Sequence, residues 1–325
     1  MSQCVLGMDG GQTTTTAAIC DFTGRLLGLG RAGPANHVWE PGGVARARRA
    51  VTGSVSRALE DAGLPKVRFE AAFLGLTGAN GRTTRAVRQC VSTKRFRLEN
   101  DKVNALACVT AGRPGVVVIA GTGTITYGEN ARGRTADASG WGFLLGDEGG
   151  GFWIARQGIA AACRAYDGRG EPTALGDALC AAAGVDDMWK LHGLIYSEKL
   201  SRSDIAALAL TVRETAQGGD KAARSILREA GKELGLAAGA VATKLRMHRG
   251  RVTVGMVGGV FRGSPEVRRS FRREVRRRAP KAVFADPWLA PAIGSVLLAL
   301  KLARIRLTPS VLANLKQASS VVGDK

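Results

Sequence analysis

Val5-Leu6-Gly7-Met8-Asp9-Gly10-Gly11-Gln12-Thr13-Thr14-Thr15-Thr16-Ala17-Ala18-Ile19-Cys20 is two apolar runs joined by a turn of glycine, threonine and one carboxylate. Val5 to Met8 reads as a buried strand and Thr15 to Cys20 as its partner. Asp21-Phe22-Thr23-Gly24 then turns the chain into a third strand through Leu26 and Leu27. The segment Asp9 to Thr14 is therefore a hairpin tip and not a strand-to-helix turn, which excludes a Walker-type loop. Glycines without a Cβ let backbone N–H groups approach phosphate oxygens, threonine hydroxyls add donors, and a carboxylate at the strand end can hold Mg²⁺ through water. Taken alone, the same residues are equally an ordinary Asp-Gly hairpin turn.

A second tip, Ala120-Gly121-Thr122-Gly123-Thr124, follows the apolar run Val116 to Ile119 and again leads into a strand. Two such tips in equivalent places suggest a pair of loops gripping one polyphosphate. A third glycine pair, Gly258-Gly259, follows the strand Val252 to Val257 and precedes a helix, where a backbone can pass close to a base or ribose.

Between the tips, apolar spacing gives a helix from Val44 that ends at Gly63-Leu64-Pro65, and a strand at Ala72 to Leu76. A helix near Thr83 to Cys90, a strand at Phe96 to Leu98 and a helix at Val103 to Thr110 complete the first half. After the β-rich run from Val116 to Tyr127 the chain turns helical, with segments at 148–166, 173–183, 201–217 and 220–247. One further strand, Arg251 to Val257, and a helix from Ala290 to Leu302 follow. Two β-meander-plus-helix units imply two related α/β domains.

At 325 residues the chain exceeds one ordinary core and suits two. With 45% apolar and 23% charged residues nearly the whole length should fold, leaving roughly the last ten residues as the only unstructured candidates. No apolar run is long enough to span a bilayer and no signal-type N-terminus precedes Val5, so a cytoplasmic location is expected. Six scattered cysteines without C-x-x-C spacing argue against zinc or disulfides.

The net charge of +20, from 47 Lys plus Arg against 27 Asp plus Glu, raises nucleic-acid binding as a question. The densest run, Arg268 to Arg278, follows Ser264-Pro265-Glu266, an N-cap, an N1 proline and an acidic first turn. Val267, Phe271 and Val275 form its apolar stripe, which leaves the arginines on a solvated face. No reader motif accompanies them, and the charge is read as surface rather than as a nucleic-acid footprint.

The three glycine elements resemble the first phosphate loop, second phosphate loop and adenosine segment of the actin/hexokinase-like kinases. Within that superfamily the chain resembles the BadF/BadG/BcrA/BcrD type, which includes N-acetylglucosamine kinases, from about residue 4 to about residue 303. The most specific stretch is Gly140-Trp141-Gly142-Phe143-Leu144-Leu145-Gly146-Asp147-Glu148-Gly149, which is similar to the family's sugar-binding segment. The resemblance implies two ribonuclease-H-like domains around an ATP and sugar cleft. These are residues 1–112, completed by the helix near 290–303, and residues 113–289. It implies ATP-dependent phosphorylation of an amino sugar, N-acetylglucosamine to its 6-phosphate first, with ATP and Mg²⁺ as cofactors and a homodimer as assembly.

By the same resemblance Asp101, in Leu98-Glu99-Asn100-Asp101, is the catalytic base; on its residues alone it is equally a helix N-cap. The family usually has a small residue next, where this chain has Lys102. Asn36, Gly140, Trp141, Gly142 and Asp147, with Asp101, are implied as sugar contacts. Gly10, Gly11, Gln12, Thr13, Thr14, Gly121, Thr122, Gly123, Thr124, Gly258 and Gly259 are implied as ATP contacts, and Asp9 as the Mg²⁺ organiser through water. Glucosamine and N-acetylmuramic acid remain alternative substrates. A different class, the ATPase activators of reductases or dehydratases, needs an iron–sulfur cluster bridging two subunits, and Cys108 with Cys163 is the one pair available for it.

Overall fold

A computed structural model of the chain describes residues 4–11, 13–35, 38 and 40–323. These fall into two compact units, residues 1–113 with 286–325 and residues 114–285.

The first unit opens with the expected meander, β1 (Cys4–Gly10), β2 (Thr15–Asp21) and β3 (Leu26–Ala32). It continues with α1 (Gly43–Asp61), β4 (Phe69–Leu76), α2 (Gly81–Arg88), β5 (Thr93–Glu99) and α3 (Asp101–Thr110). The second unit repeats the meander as β6 (Gly115–Ala120), β7 (Thr124–Glu129) and β8 (Thr135–Ala138). There follow α4 (Gly151–Tyr166), α5 (Leu175–Ala182), α6 (Met188–Tyr196), α7 (Arg202–Ala207), α8 (Ala209–Gln217) and α9 (Lys221–Lys244). The unit ends with β9 (Val252–Val257), α10 (Gly259–Gly263), α11 (Pro265–Arg278) and β10 (Ala282–Ala285). The chain then returns to the first unit with α12 (Pro291–Leu302) and α13 (Pro309–Gly323).

Both sheets have five strands in the same order. In the first it is β3-β2-β1-β4-β5, and in the second β8-β7-β6-β9-β10. In each, three antiparallel strands are extended by two parallel ones. This is the ribonuclease-H-like topology, present twice.

The reading of a single strand after Tyr127 is corrected by β8 and β10, which are four-residue edge strands too short to show a period of two. The reading of the tail as unstructured is also corrected. Val311, Leu315, Ala318 and Val322 of α13 are buried at helical spacing, and Arg31 Nη2 donates to the Val322 carbonyl at 2.8 Å.

α12 is buried on nearly every side, including Ile293, Val296, Leu297 and Leu300. It lies directly on β1, since a Cβ at Gly7 would sit 2.2 Å from the Val296 amide nitrogen. Ser295 Oγ donates to the Met8 carbonyl at 2.8 Å, which fixes β1 one residue before Asp9. In the second unit, Val267, Phe271 and Val275 of α11 are buried as their spacing requires, and Ser264 Oγ caps the helix by accepting from Val267 N at 3.3 Å.

Candidate active site

Within the first unit, parallel strands bring three strand ends side by side. Asp9 pairs with Gly75 on β4, and Gly75 with Glu99 on β5, so Asp9, Thr77 and Asp101 emerge at one edge. The Thr77 amide donates to the Gly10 carbonyl at 2.9 Å, tying the β4 exit to the first tip. Asn100, not Asp101, is the cap of α3, with its side chain accepting from Lys102 N at 3.2 Å. Asp101 is the first helical residue, and its carboxylate also draws on the backbone N–H groups of the helix start, those of Asp101 and Lys102. Thr77 Oγ1 donates to Asp101 Oδ2 at 2.6 Å.

Burial raises the Asp101 carboxyl above the usual carboxylate range, against the opposing pull of the Thr77 bond and the Lys102 charge. Asp9 is pushed up to about 7, first by burial and also by the Asp101 charge, although Asn104 Nδ2 donates to its Oδ1 at 3.1 Å. Among the described residues no basic side chain pairs with Asp9. Asn104 is itself accommodated by Gly75, where a Cβ would meet its amide nitrogen at 1.8 Å. Its Oδ1 is buried without a partner.

A half-buried carboxylate lacking a counter-ion, next to an unused acceptor, suits a hydrated divalent cation. Such a cation would offset the raised pKa. No cluster of three or more ligating side chains exists among the described residues, so water and phosphate oxygens would make up most of such a cation's ligands.

In the second unit, Gly121 and Thr122 line a cavity of about 370 Å³ together with Ile154, Leu210, Leu227, Gly259 and Val260, and with Arg213 at its wall. Its mostly apolar lining and open glycine edge suit a nucleoside. The glycines divide by what surrounds them. A Cβ at Gly11, Gly121 or Gly259 would meet nothing closer than 3.8 Å, which leaves their backbones open to a ligand. Gly10, Gly123 and Gly258 are close-packed instead, Gly258 with a Cβ position 2.2 Å from the Ala120 carbonyl oxygen.

Thr13 and Thr14 are exposed, Thr122 is half-buried, and the Thr124 hydroxyl is buried without a partner. Gln12 and Asn36 lie outside the described residues.

The segment Gly140 to Gly149 leaves Trp141 74% exposed, along with Leu144 and Leu145. Gly140, Gly142, Asp147 and Gly149 all have positive φ, the conformation glycine favours, and Asp147 is the one non-glycine among them. The Asp147 carboxylate is buried, accepting from Thr124 N at 3.2 Å and from Arg202 Nη2 at 3.0 Å. Sequence reasoning missed Thr77, Asn104, Arg202 and Arg213. Asn104 alone left a signal, three residues after Asp101 on the same helix.

A profile of the BadF/BadG/BcrA/BcrD ATPase family matches residues 6–299. The chain belongs to that family. It is 29% identical over 300 residues to an N-acetylmuramic acid/N-acetylglucosamine kinase of Clostridium acetobutylicum, spanning 91% of this chain and 97% of that one. It is 26% identical over 309 residues to an N-acetyl-D-glucosamine kinase of Dictyostelium discoideum, with the same coverage of 91% and 97%. Among solved structures, a proposed N-acetylglucosamine kinase from Chromobacterium violaceum superposes with a TM-score of 0.72 at 28% identity, over 92% of this chain and 99% of that one. The family membership and the doubled topology make this an actin/hexokinase-like fold.

The iron–sulfur alternative meets a physical obstacle. Cys108 is buried in the core of the first unit, where burial raises its thiol far above the usual range, so it presents no thiolate to a cluster shared between subunits. Among the described residues no helix is long and apolar enough to cross a membrane.

Proposed function

We propose that this family member is an ATP-dependent amino-sugar kinase, and that it phosphorylates N-acetylglucosamine on the 6-hydroxyl with Asp101 as general base. The observation that carries the class is the similarity, over 91% of the chain, to a relative acting on N-acetylmuramic acid and N-acetylglucosamine.

The chemistry asks for a carboxylate beside the acceptor hydroxyl, and Asp101 meets that need. Thr77 holds Oδ2 and so orients the carboxylate, which takes the hydroxyl proton as the sugar oxygen bonds to the γ-phosphorus and the bond to ADP breaks. A raised pKa makes Asp101 a stronger proton acceptor than a solvated carboxylate once it is ionised. When bound, Mg²⁺ would neutralise phosphate charge; Asp9 is its proposed holder through water, steadied by Asn104.

Gly11, Thr13 and Thr14 are the proposed phosphate donors of the first tip, and Gly121 and Thr122 those of the second. Gly259 and the apolar wall of the cavity receive the nucleoside. Asn36, Trp141, Gly142 and Asp147 are the proposed sugar contacts.

The test is kcat/KM with Mg-ATP for N-acetylglucosamine, glucosamine, N-acetylmuramic acid and glucose side by side. The proposal expects N-acetylglucosamine to lead. A tenfold preference for glucosamine, about 1.4 kcal/mol of transition-state binding, would overturn the sugar assignment and leave the class standing.

A further inference from the structure

Arg202 joins three pieces of the second unit that lie far apart in the chain. Its Nη2 donates to Asp147 Oδ2 at 3.0 Å, and its guanidinium carbon lies 5.0 Å from the centre of the Phe143 ring, so it grips the Gly140–Gly149 segment twice. It also borders the second phosphate tip. A Cβ at Gly123 would be 2.3 Å from Asp147 Oδ2 and 3.0 Å from Arg202 Nη2, so glycine here makes room for the ion pair.

The pair is lopsided. The Asp147 side chain is 5% exposed and that of Arg202 39%. A reciprocal capping box between Ser201 and Asp204 anchors the start of α7, which fixes the base of the Arg202 side chain.

Two features set what a ligand would change in this arrangement. The Arg202 Nε hydrogen is buried without an acceptor, so the side chain has not satisfied its donors. Both oxygens of Asp147 are engaged, Oδ1 by Thr124 N and Oδ2 by Arg202, and with the side chain 5% exposed the guanidinium stands between Oδ2 and an incoming hydroxyl.

We propose that Arg202 is a positioning residue that couples nucleotide and sugar binding. Phosphate oxygens at the tip draw its guanidinium from Asp147, and the freed Oδ2 then accepts a hydroxyl of the sugar. Each ligand thereby tightens the other by the same factor, as linkage requires. Arginine suits the task because its planar fork can serve two acceptors during the exchange, where the lysine ammonium is a single point. This inference rests on the amino-sugar kinase reading.

The experiment is calorimetric titration of the full chain with a non-hydrolysable ATP analogue, with and without N-acetylglucosamine, for the unaltered protein, Arg202→Gln and Arg202→Lys. The unaltered protein should bind the analogue about 5-fold or more tighter with sugar present, in the range usual for coupled sites. Arg202→Gln should lose that factor to within about twofold, and Arg202→Lys should retain an intermediate part of it. If Arg202→Gln does not fold, a reduced factor in Arg202→Lys carries the test. Undiminished coupling in a folded variant, or none in the unaltered protein, overturns the inference. Absence of turnover on every amino sugar would overturn the kinase reading as well, whereas turnover with undiminished coupling would overturn this inference alone.

Discussion

Asp9 shows how a site residue can work against the stability of its own fold. Burial and the neighbouring Asp101 push its carboxyl up to about 7, against roughly 4 in an unfolded chain. Between those values the folded protein binds more protons than the unfolded one, so this group lowers stability as pH rises through that window. Asp9→Asn removes the buried charge and keeps the shape. Its melting temperature without ligands should exceed that of the unaltered protein above pH 7, at roughly 2–4 °C per kcal/mol relieved. The gain should shrink as pH falls from about 7 and vanish near 4, while Mg-ATP turnover drops at every pH. Thermal melts showing no gain near pH 8 would contradict the assignment of Asp9 as an uncompensated carboxylate. Asp9 was legible in the sequence as a carboxylate at a strand end and Asp101 through the family resemblance, but Thr77 and Asn104, which orient them, were not. Their bonds cross 24 and 95 residues of chain, and only the parallel register of β1, β4 and β5 brings those strand ends together.

At the scale of elements, the meanders were readable because a buried strand beside a glycine-threonine tip carries a strong local pattern. What escaped was short or polar. β8, Thr135–Ala138, alternates exposed and half-buried positions without a large apolar residue, and β10 has one pairing partner and four residues. α13 was hidden because polar residues dilute its stripe, which only the first unit's surface makes useful. Gly24, at φ +83°, turns β2 into β3 beneath the Val311 carbonyl, and Asn314 Nδ2 donates to the Thr23 carbonyl at 2.9 Å. If α13 is integral, Leu315→Ala should cost about 2–4 kcal/mol, as a buried leucine does, while exposed Lys316→Ala should cost little. Equal, near-zero effects in denaturant titrations would contradict an integral α13.

At the scale of the whole molecule, one topology written twice explains why two tips look alike in sequence, and why weak repetition was the most that could be seen there. The repeat is carried by strand order, not by shared residues. The ties that close each site, such as Asp147 to Arg202 across 55 residues, are not periodic and leave no local trace. The central claim is that this doubled fold transfers phosphate from ATP to an amino sugar through Asp101, and the direct measurement is the rate of phosphorylated sugar formation from Mg-ATP and N-acetylglucosamine by the unaltered protein and by Asp101→Asn. The account predicts turnover that falls by about 10²–10⁴-fold or more in the variant, with binding of both substrates retained. Near-normal turnover by Asp101→Asn would contradict it.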